Sequence, residues 1–568
     1  MLRPIESPLD YYLQTGKAAH EKNVDECLKI FTDHAAINRE ENAQTVAEYH
    51  AKALVADETQ EGVSGKKTGR TWAIIGLIAV FIALSVLFFN LDVMEAVQTM
   101  LFVVNIAAFI VGLCFTCKAF NKRIRALEQK LFNQRQAAAE VLAQAEKQMQ
   151  PLNDNFPEDI CLRLMEKTLP CFAFDAFFTK QRLDGLVANY GMSAGIGGNE
   201  SVMETLSGEL QGRPFVYDRR RIHEMGSKTY QGSLTIHWTT RERDSQGNTV
   251  TRNHSQTLTA SVSKPYPQYT LRTLLYYGNE GAESLSFSRT YAHAEDKNER
   301  QLERTMRKGE RKLRRLESKD LREGGDFTQV ENTQFEVLFN ATNRSDELEF
   351  REMFTVHAQQ NMVELLLYGE GYGDDFGFFK QGKLNVIYSE HSQSRPLSVP
   401  ACFYRSYDIT KAEAAFREHN NEFFKAVYFD FAPLLVSPVY QQDLRVSQAI
   451  VDGERTPYNY EQYANEAASL LTPTPCDTCC IFKARLLERK GNAEIVEIVA
   501  LGYYGEARVE YVRKHGNDGR WHNVPVEWTE YLPVERRTKL HVVPVKSGER
   551  APADAVALSN AYAYVVEG

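Results

Sequence analysis

The chain has 568 residues, more than a single hydrophobic core usually serves, so two or more folding units are expected. Its 43% hydrophobic and 25% charged residues are ordinary for a globular protein. A formal net charge of −9 argues against general nucleic-acid binding, where a basic face would be expected.

Residues 1–64 read as an N-terminal cytosolic helical segment. Ser7-Pro8-Leu9-Asp10 has the form of an N-cap with proline in the first turn, and apolar positions recur at Val24, Cys27, Leu28 and Phe31. Roughly seventy mostly polar residues precede the first apolar run, so no signal peptide is expected at the start. A second helix is predicted from Arg39 to Ala56, and Gly62-Val63-Ser64-Gly65 should break the chain after it.

Two apolar runs without a single charge follow, Thr71–Phe89 and Val97–Cys117. Each can cross about 30 Å of hydrocarbon at about 1.5 Å per helical residue. Asn90–Ala96 between them is too short for anything but the turn of a transmembrane hairpin. Twelve of the nineteen residues in the first run are Leu, Ile, Val or Phe. At a few tenths of a kcal/mol each, they favour insertion by roughly 4–7 kcal/mol. Lys66, Lys67 and Arg70 precede the hairpin and Lys118, Lys122, Arg123 and Arg125 follow it, whereas the turn holds only Asp92 and Glu95. Positive charge stays on the cytoplasmic side, so both termini are expected there. Asn105, near mid-depth with Ala108 and Gly112 after it, should hydrogen-bond the neighbouring helix rather than line a pore.

Residues 118–150 continue as a helical stalk. Ile124, Leu127, Leu131, Gln134, Ala138, Val141 and Ala145 make a heptad-like, coiled-coil stripe whose expected partner is the N-terminal helices of the same chain. Pro151 should close it.

Residues 151–440 read as an α+β cytoplasmic domain. Gly232–Pro267 alternates apolar and polar residues on either side of Ser245-Gln246-Gly247-Asn248, an antiparallel hairpin that Lys264-Pro265 should end. Glu299–Glu323 is a charged helix. Strands are predicted at Gln334–Phe339 and Lys383–Tyr388, with helices at Glu347–Leu367 and Lys411–His419. Residues 441–568 form a strand-rich C-terminal domain or subdomain, with a tight turn at His515–Gly519. The fold class is therefore α+β: a transmembrane helical hairpin and stalk, then a large, mainly antiparallel β-sheet region with interspersed helices.

The strings TYQGSLTIHW, QTLTASVSKPYP, FREMFTVHAQQNM, GYGDDFGFFK, SEHSQ and NDGRWHNVPVEWTEYLPV carry a resemblance when taken together. Over most of residues 1–540 the chain resembles a group of uncharacterised bacterial membrane proteins with an N-terminal transmembrane hairpin and a long cytoplasmic β-rich part. The resemblance implies that architecture and a bacterial source, and no activity.

Catalytic and cofactor motifs are sparse. The glycine-rich stretch Gly191–Gly198 lacks the lysine and the spacing of a phosphate loop, and Gly65-Lys66-Lys67-Thr68 lacks the upstream glycine, so no cofactor is expected. Cys476-Asp477-Thr478-Cys479-Cys480 offers thiolates without the second pair that structural zinc needs, and no metal site is assigned. With nine cysteines, an odd number, the pattern points to free thiols in a reducing compartment. The sharpest enzymatic candidates are Asp374, Asp375, Glu390 and His391, which a hairpin could bring together to bind a metal or shuttle protons. A solvated aspartate turn beside a strand-capping histidine explains the same residues. The balance leans away from an enzyme. The reading is a membrane-anchored cytoplasmic binding or scaffold module at a bacterial inner membrane, held in the bilayer by two helices and working on a protein partner, not a nucleic acid. A tethered metal-assisted hydrolase and an oligomeric pore component are the alternatives.

Overall fold

The computed structural model describes residues 4–89, 95–157, 159–175, 178–192, 197–243, 249–393, 395–397, 399, 401–441, 460–491, 493–544, 552, 555–558 and 561–566. Residues 90–94 of the expected Asn90–Ala96 turn, and the turn Ser245–Asn248, lie outside these, while Glu95 and Ala96 already belong to the helix that follows. The chain divides into two compact units, Val24–Glu158 with Ala401–His419, and Met1–Asn23 with Asp159–Pro400 and Asn420–Gly568.

Helix α1 (Pro8–Tyr11) runs through a π-helical turn at Tyr12–Gly16 into α2 (Lys17–Ala35). The helical unit is dominated by the two that follow, α3 (Arg39–Phe89, 51 residues) and α4 (Glu95–Asn153, 59 residues). At about 1.5 Å per residue each exceeds 75 Å, roughly. They pair antiparallel: Asn42 donates to Gln148 (3.3 Å), Lys67 meets Glu128 (2.8 Å), and Arg70 donates to Asn121 (2.8 Å). Asn105 donates to Ser85 Oγ (3.0 Å) and the Phe81 carbonyl (3.3 Å), the neighbour-helix bonds its position called for. Within the stripe, Ile124, Ala138, Val141 and Ala145 are buried, as are Val46, Ala56 and Val63 of α3. The break expected at Gly62–Gly65 does not occur. Glycine costs about 1 kcal/mol in a helix, and pairing with α4 on both sides of the site outweighs that local loss. At the base, Phe31 packs edge-on against Phe156 (5.9 Å) and Phe416 (6.2 Å).

The other unit is built on antiparallel sheet. One sheet has seven strands: β1 (Phe172–Phe174), β2 (Glu200–Leu210), β3 (Arg213–Arg243), β4 (Thr249–Gly278), β5 (Ser286–Arg289), β6 (Phe376–Gln381) and β7 (Leu384–Ser389). Their order is β1-β2-β3-β4-β7-β6-β5. A second sheet holds β8 (Ile481–Lys490), β9 (Ala493–His515), β10 (Trp521–Pro544), β11 (Val556–Leu558) and β12 (Ala561–Val566) in the order β11-β12-β10-β9-β8. The β3–β4 ribbon is longer than the sequence suggested. Pro265 and Pro267 lie inside it, opposite Ser227 and Met225. β4 meets its other neighbour, β7, only at Leu275–Gly278, and an open strand edge tolerates proline.

Three helical stretches also differ from expectation. Gln334–Phe339, predicted as strand, lies in a helix, Thr333–Phe339: Asn332 caps it by accepting from Gln334 N and Phe335 N, and Phe335, Leu338 and Phe339 bury a one-sided stripe. The helix at Lys411 runs on to Leu435, and the segment from Glu347 divides at Phe354-Thr355, where Thr355 caps a new helix, Val356–Tyr368. These helices and β5–β7 enclose the main core, which includes Phe287, Phe350, Phe378, Tyr428 and Phe431. A separate core joins the helix Tyr460–Glu466 to the second sheet through Tyr463, Phe482, Val496 and Leu540. The β3–β4 and β9–β10 ribbons pack face to face through Ile236, Leu258, Val524 and Val526. There Gly232 lies so close to β10 that a Cβ would run into the Pro525 carbonyl.

Candidate functional site

Antiparallel pairing of β6 with β7 sets Phe376 opposite Ser389, so the residues flanking this hairpin meet at one end. Glu390 N donates to the Asp375 carbonyl (3.0 Å). The four residues singled out in the sequence then part into three environments.

Asp374 is buried and forms an ion pair with Arg289 at the end of β5. Its other oxygen accepts from Ala294 N (2.8 Å) and Ala292 N (3.3 Å). The Arg289 guanidinium lies 4.2 Å over the Phe376 ring, and burial lowers its pKa against the opposing pull of Asp374. Every contact of this carboxylate is structural.

Asp375 and His391 are joined directly. Asp375 Oδ2 accepts from His391 Nδ1 (2.6 Å) and from the His391 backbone (3.0 Å). His391 Nε2 faces the Ala426 carbonyl (3.1 Å) and lies 3.4 Å from Asp430 Oδ1. The imidazole stacks on Tyr372 at 4.2 Å and its side chain is 4% exposed. Both ring nitrogens thus face acceptors, an arrangement that only the doubly protonated ring satisfies. Burial alone would lower its pKa; Asp430 and Asp375 outweigh burial and raise it. Asp430 in turn accepts from Tyr217 and Ser392, and Thr273 donates to the Ser392 carbonyl (2.7 Å). Tyr217 on β3, Thr273 on β4 and Asp430 on the Ile409–Leu435 helix come from distant segments, and no local sequence pattern marks them.

Glu390 points outward. It lies 3.7 Å from His293 Nε2 and accepts from Tyr291, whose pKa that hydrogen bond raises ahead of a smaller effect of burial. Asp374, Asp375, Glu390 and His391 therefore do not converge on one point. Among the described residues, no group of three or more His, Cys, Asp and Glu side chains is arranged to hold a metal ion.

Other histidines, and the glycine-rich and cysteine-rich stretches, are placed as well. His357 is exposed on its helix. Gly191 caps the helix Lys180–Tyr190 at φ 71°, a turn role, while residues 193–196 of that glycine-rich stretch lie outside the described residues. Gly65–Thr68 is part of α3. His515 packs edge-on against Trp521 (5.4 Å) and His522 holds Asp518 (2.9 Å), both at the β9–β10 turn. Of the three clustered cysteines, Cys476 and Cys480 meet, with sulfurs 3.7 Å apart, and Cys479 is exposed. Comparison with known proteins adds no assignment: no family model, no curated protein and no solved structure matches this chain.

Proposed function

We propose that this chain is a membrane-anchored binding or scaffold module of a bacterial inner membrane, with both termini and the β-rich unit on the cytoplasmic side. One observation carries the reading. α3 and α4 are long and apolar enough to cross a membrane, and their most apolar windows are almost bare of protein, 0% and 6% buried. Trp72, Ile78, Val80, Val103, Ile110 and Phe115 all present exposed apolar surface there. In water, contiguous apolar area of this kind is costly; a bilayer removes the cost. Lys66, Lys67, Arg70 and the basic run after Cys117 favour the cytoplasmic orientation. Asn105 spends its donors within its own hairpin, which supports an anchor over a pore. The separation of Asp374 and Glu390 from the Asp375–His391 pair leaves the hydrolase alternative without a shared site.

The test is sidedness in intact cells. With Val93→Cys in the native chain, an impermeant maleimide should label that position at once, and label exposed Cys402 and Cys479 only after permeabilisation. The protein should stay in the membrane pellet through alkaline carbonate washing. Labelling in the reverse order overturns the orientation, and release by carbonate overturns the anchor.

A further inference from the structure

Cys476, Cys479 and Cys480 invite a reading as a C-x-x-C pair, yet the structure brings together a different couple. The sulfurs of Cys476 and Cys480 are 3.7 Å apart, at van der Waals contact. The segment that carries them is laced to β9. Asp477 N donates to the Tyr503 carbonyl (2.9 Å), Tyr503 N to Thr478 Oγ1 (3.0 Å), and Gly505 N to Asp477 Oδ2 (2.8 Å). Cys480 leads straight into β8 and is buried, whereas Cys476 is half-exposed. Both sulfurs lie over Gly502 of β9. A Cβ there would stand 2.6 Å from Cys476 Sγ and 2.9 Å from Cys480 Sγ, so the glycine makes the space the two thiols share.

We propose that Cys476 and Cys480 form a dithiol modification site that closes to an intrachain disulfide when hydrogen peroxide oxidises Cys476. A disulfide needs its sulfurs at about 2.05 Å, so they must approach by less than ~2 Å across an already fixed backbone. Burial, ahead of its neighbour Cys476, pushes the Cys480 thiol up to about 12, so Cys480 stays protonated near neutrality and the accessible Cys476 reacts first. Its thiolate attacks one peroxide oxygen; the S–O bond forms, the O–O bond breaks, and hydroxide leaves to take up a proton as water. Cys480 Sγ then attacks the sulfenic sulfur. The S–S bond forms, the S–O bond breaks, and the hydroxyl departs with the Cys480 proton as a second water. The two sulfurs lose two electrons in all and the peroxide gains them. Exposed Cys479 is a bystander. The proposal does not depend on the anchoring role.

The whole chain in detergent would be treated with hydrogen peroxide, its remaining thiols alkylated, and the tryptic peptide ending at Lys483 mapped by fragmentation. That peptide should lose two hydrogens and take a single alkyl group, on Cys479, before exposed Cys402 is oxidised, and dithiothreitol should restore all three labelling sites. Cys479→Ser should close at an unchanged rate, whereas Cys476→Ser and Cys480→Ala should not close. Gly502→Ala, which forces the sulfurs apart, should slow closure by about tenfold or more, judged by the strict geometry of the bond. A disulfide through Cys479, or three alkylated cysteines at peroxide levels that already oxidise Cys402, overturns the proposal in the unmutated chain, whatever the variants do.

Discussion

His20 stacks on Phe424 at 4.1 Å, with Thr168 Oγ1 and the Asn420 carbonyl at its ring nitrogens, and burial lowers its pKa to about 4. His391, equally enclosed, is shifted upward by Asp430 and Asp375. The two therefore act on opposite sides of the ordinary value of about 6.5. As pH falls below 6.5, roughly, the unfolded chain takes up a proton that folded His20 refuses, so its contribution fades towards pH 4, by on the order of 3 kcal/mol. For His391 the folded state holds the proton more tightly. Its contribution is complete below the unfolded value and is lost as pH rises through its raised one. Unfolding curves should thus show the gap between the native chain and His391→Gln shrinking with rising pH. The gap to His20→Asn should shrink with falling pH instead. Parallel profiles would refute either assignment.

At the level of elements, glycine has opposite meanings in helix and sheet here. Around Gly62 and Gly65 a Cβ would meet nothing within 4 Å. Gly62→Ala and Gly65→Ala should therefore each stabilise α3 by about 0.5–1 kcal/mol. Gly232→Ala meets the Pro525 backbone at the ribbon crossing and should destabilise by about 1–3 kcal/mol. Denaturant titration of the three variants in one detergent would check both signs. These same positions show where sequence reading stops. Charge-free runs and period-two alternation located the long helices and ribbons, because one dominant pattern fixes each. Continuation through Gly62 or past Pro265 depended on a partner strand or helix that local pattern does not reveal. Residues 334–339 read as strand, while a cap at Asn332 and burial on one side made them helix. In the candidate site, sequence grouped Asp374, Asp375, Glu390 and His391 at the ends of one hairpin; register joins Asp375 to His391, and nothing local showed that Asp374 and Glu390 turn away from them. Arg289, 85 residues before Asp374, and Asp430, beyond the next helix boundary, were not.

On the scale of the whole molecule, the apolar part of α3–α4 is separable from the rest of its unit. Arg70 and Asn121 touch where the two helices leave the apolar zone, so a short glycine-serine turn in place of residues 71–117 would span the remaining gap. Such a chain should be soluble without detergent and melt cooperatively at nearly the native temperature. Aggregation of that chain would mean that its apolar surface lies elsewhere.

The β-rich unit is discontinuous, and that has a consequence in time. Ile5 exchanges backbone hydrogen bonds with the Gln441 side chain 436 residues away, Tyr12 packs against Tyr428 and Phe429, and Pro8 accepts from the Tyr428 hydroxyl. At about 5–20 residues per second, the ribosome needs roughly 20–90 s to supply these partners after the N-terminal segment has emerged. Both apolar helices are made within that interval. Ile5, Pro8 and Tyr12 must wait for these partners while over four hundred residues are made, and a bulky fusion ahead of Ile5 would obstruct a late step of the unit's assembly rather than the first.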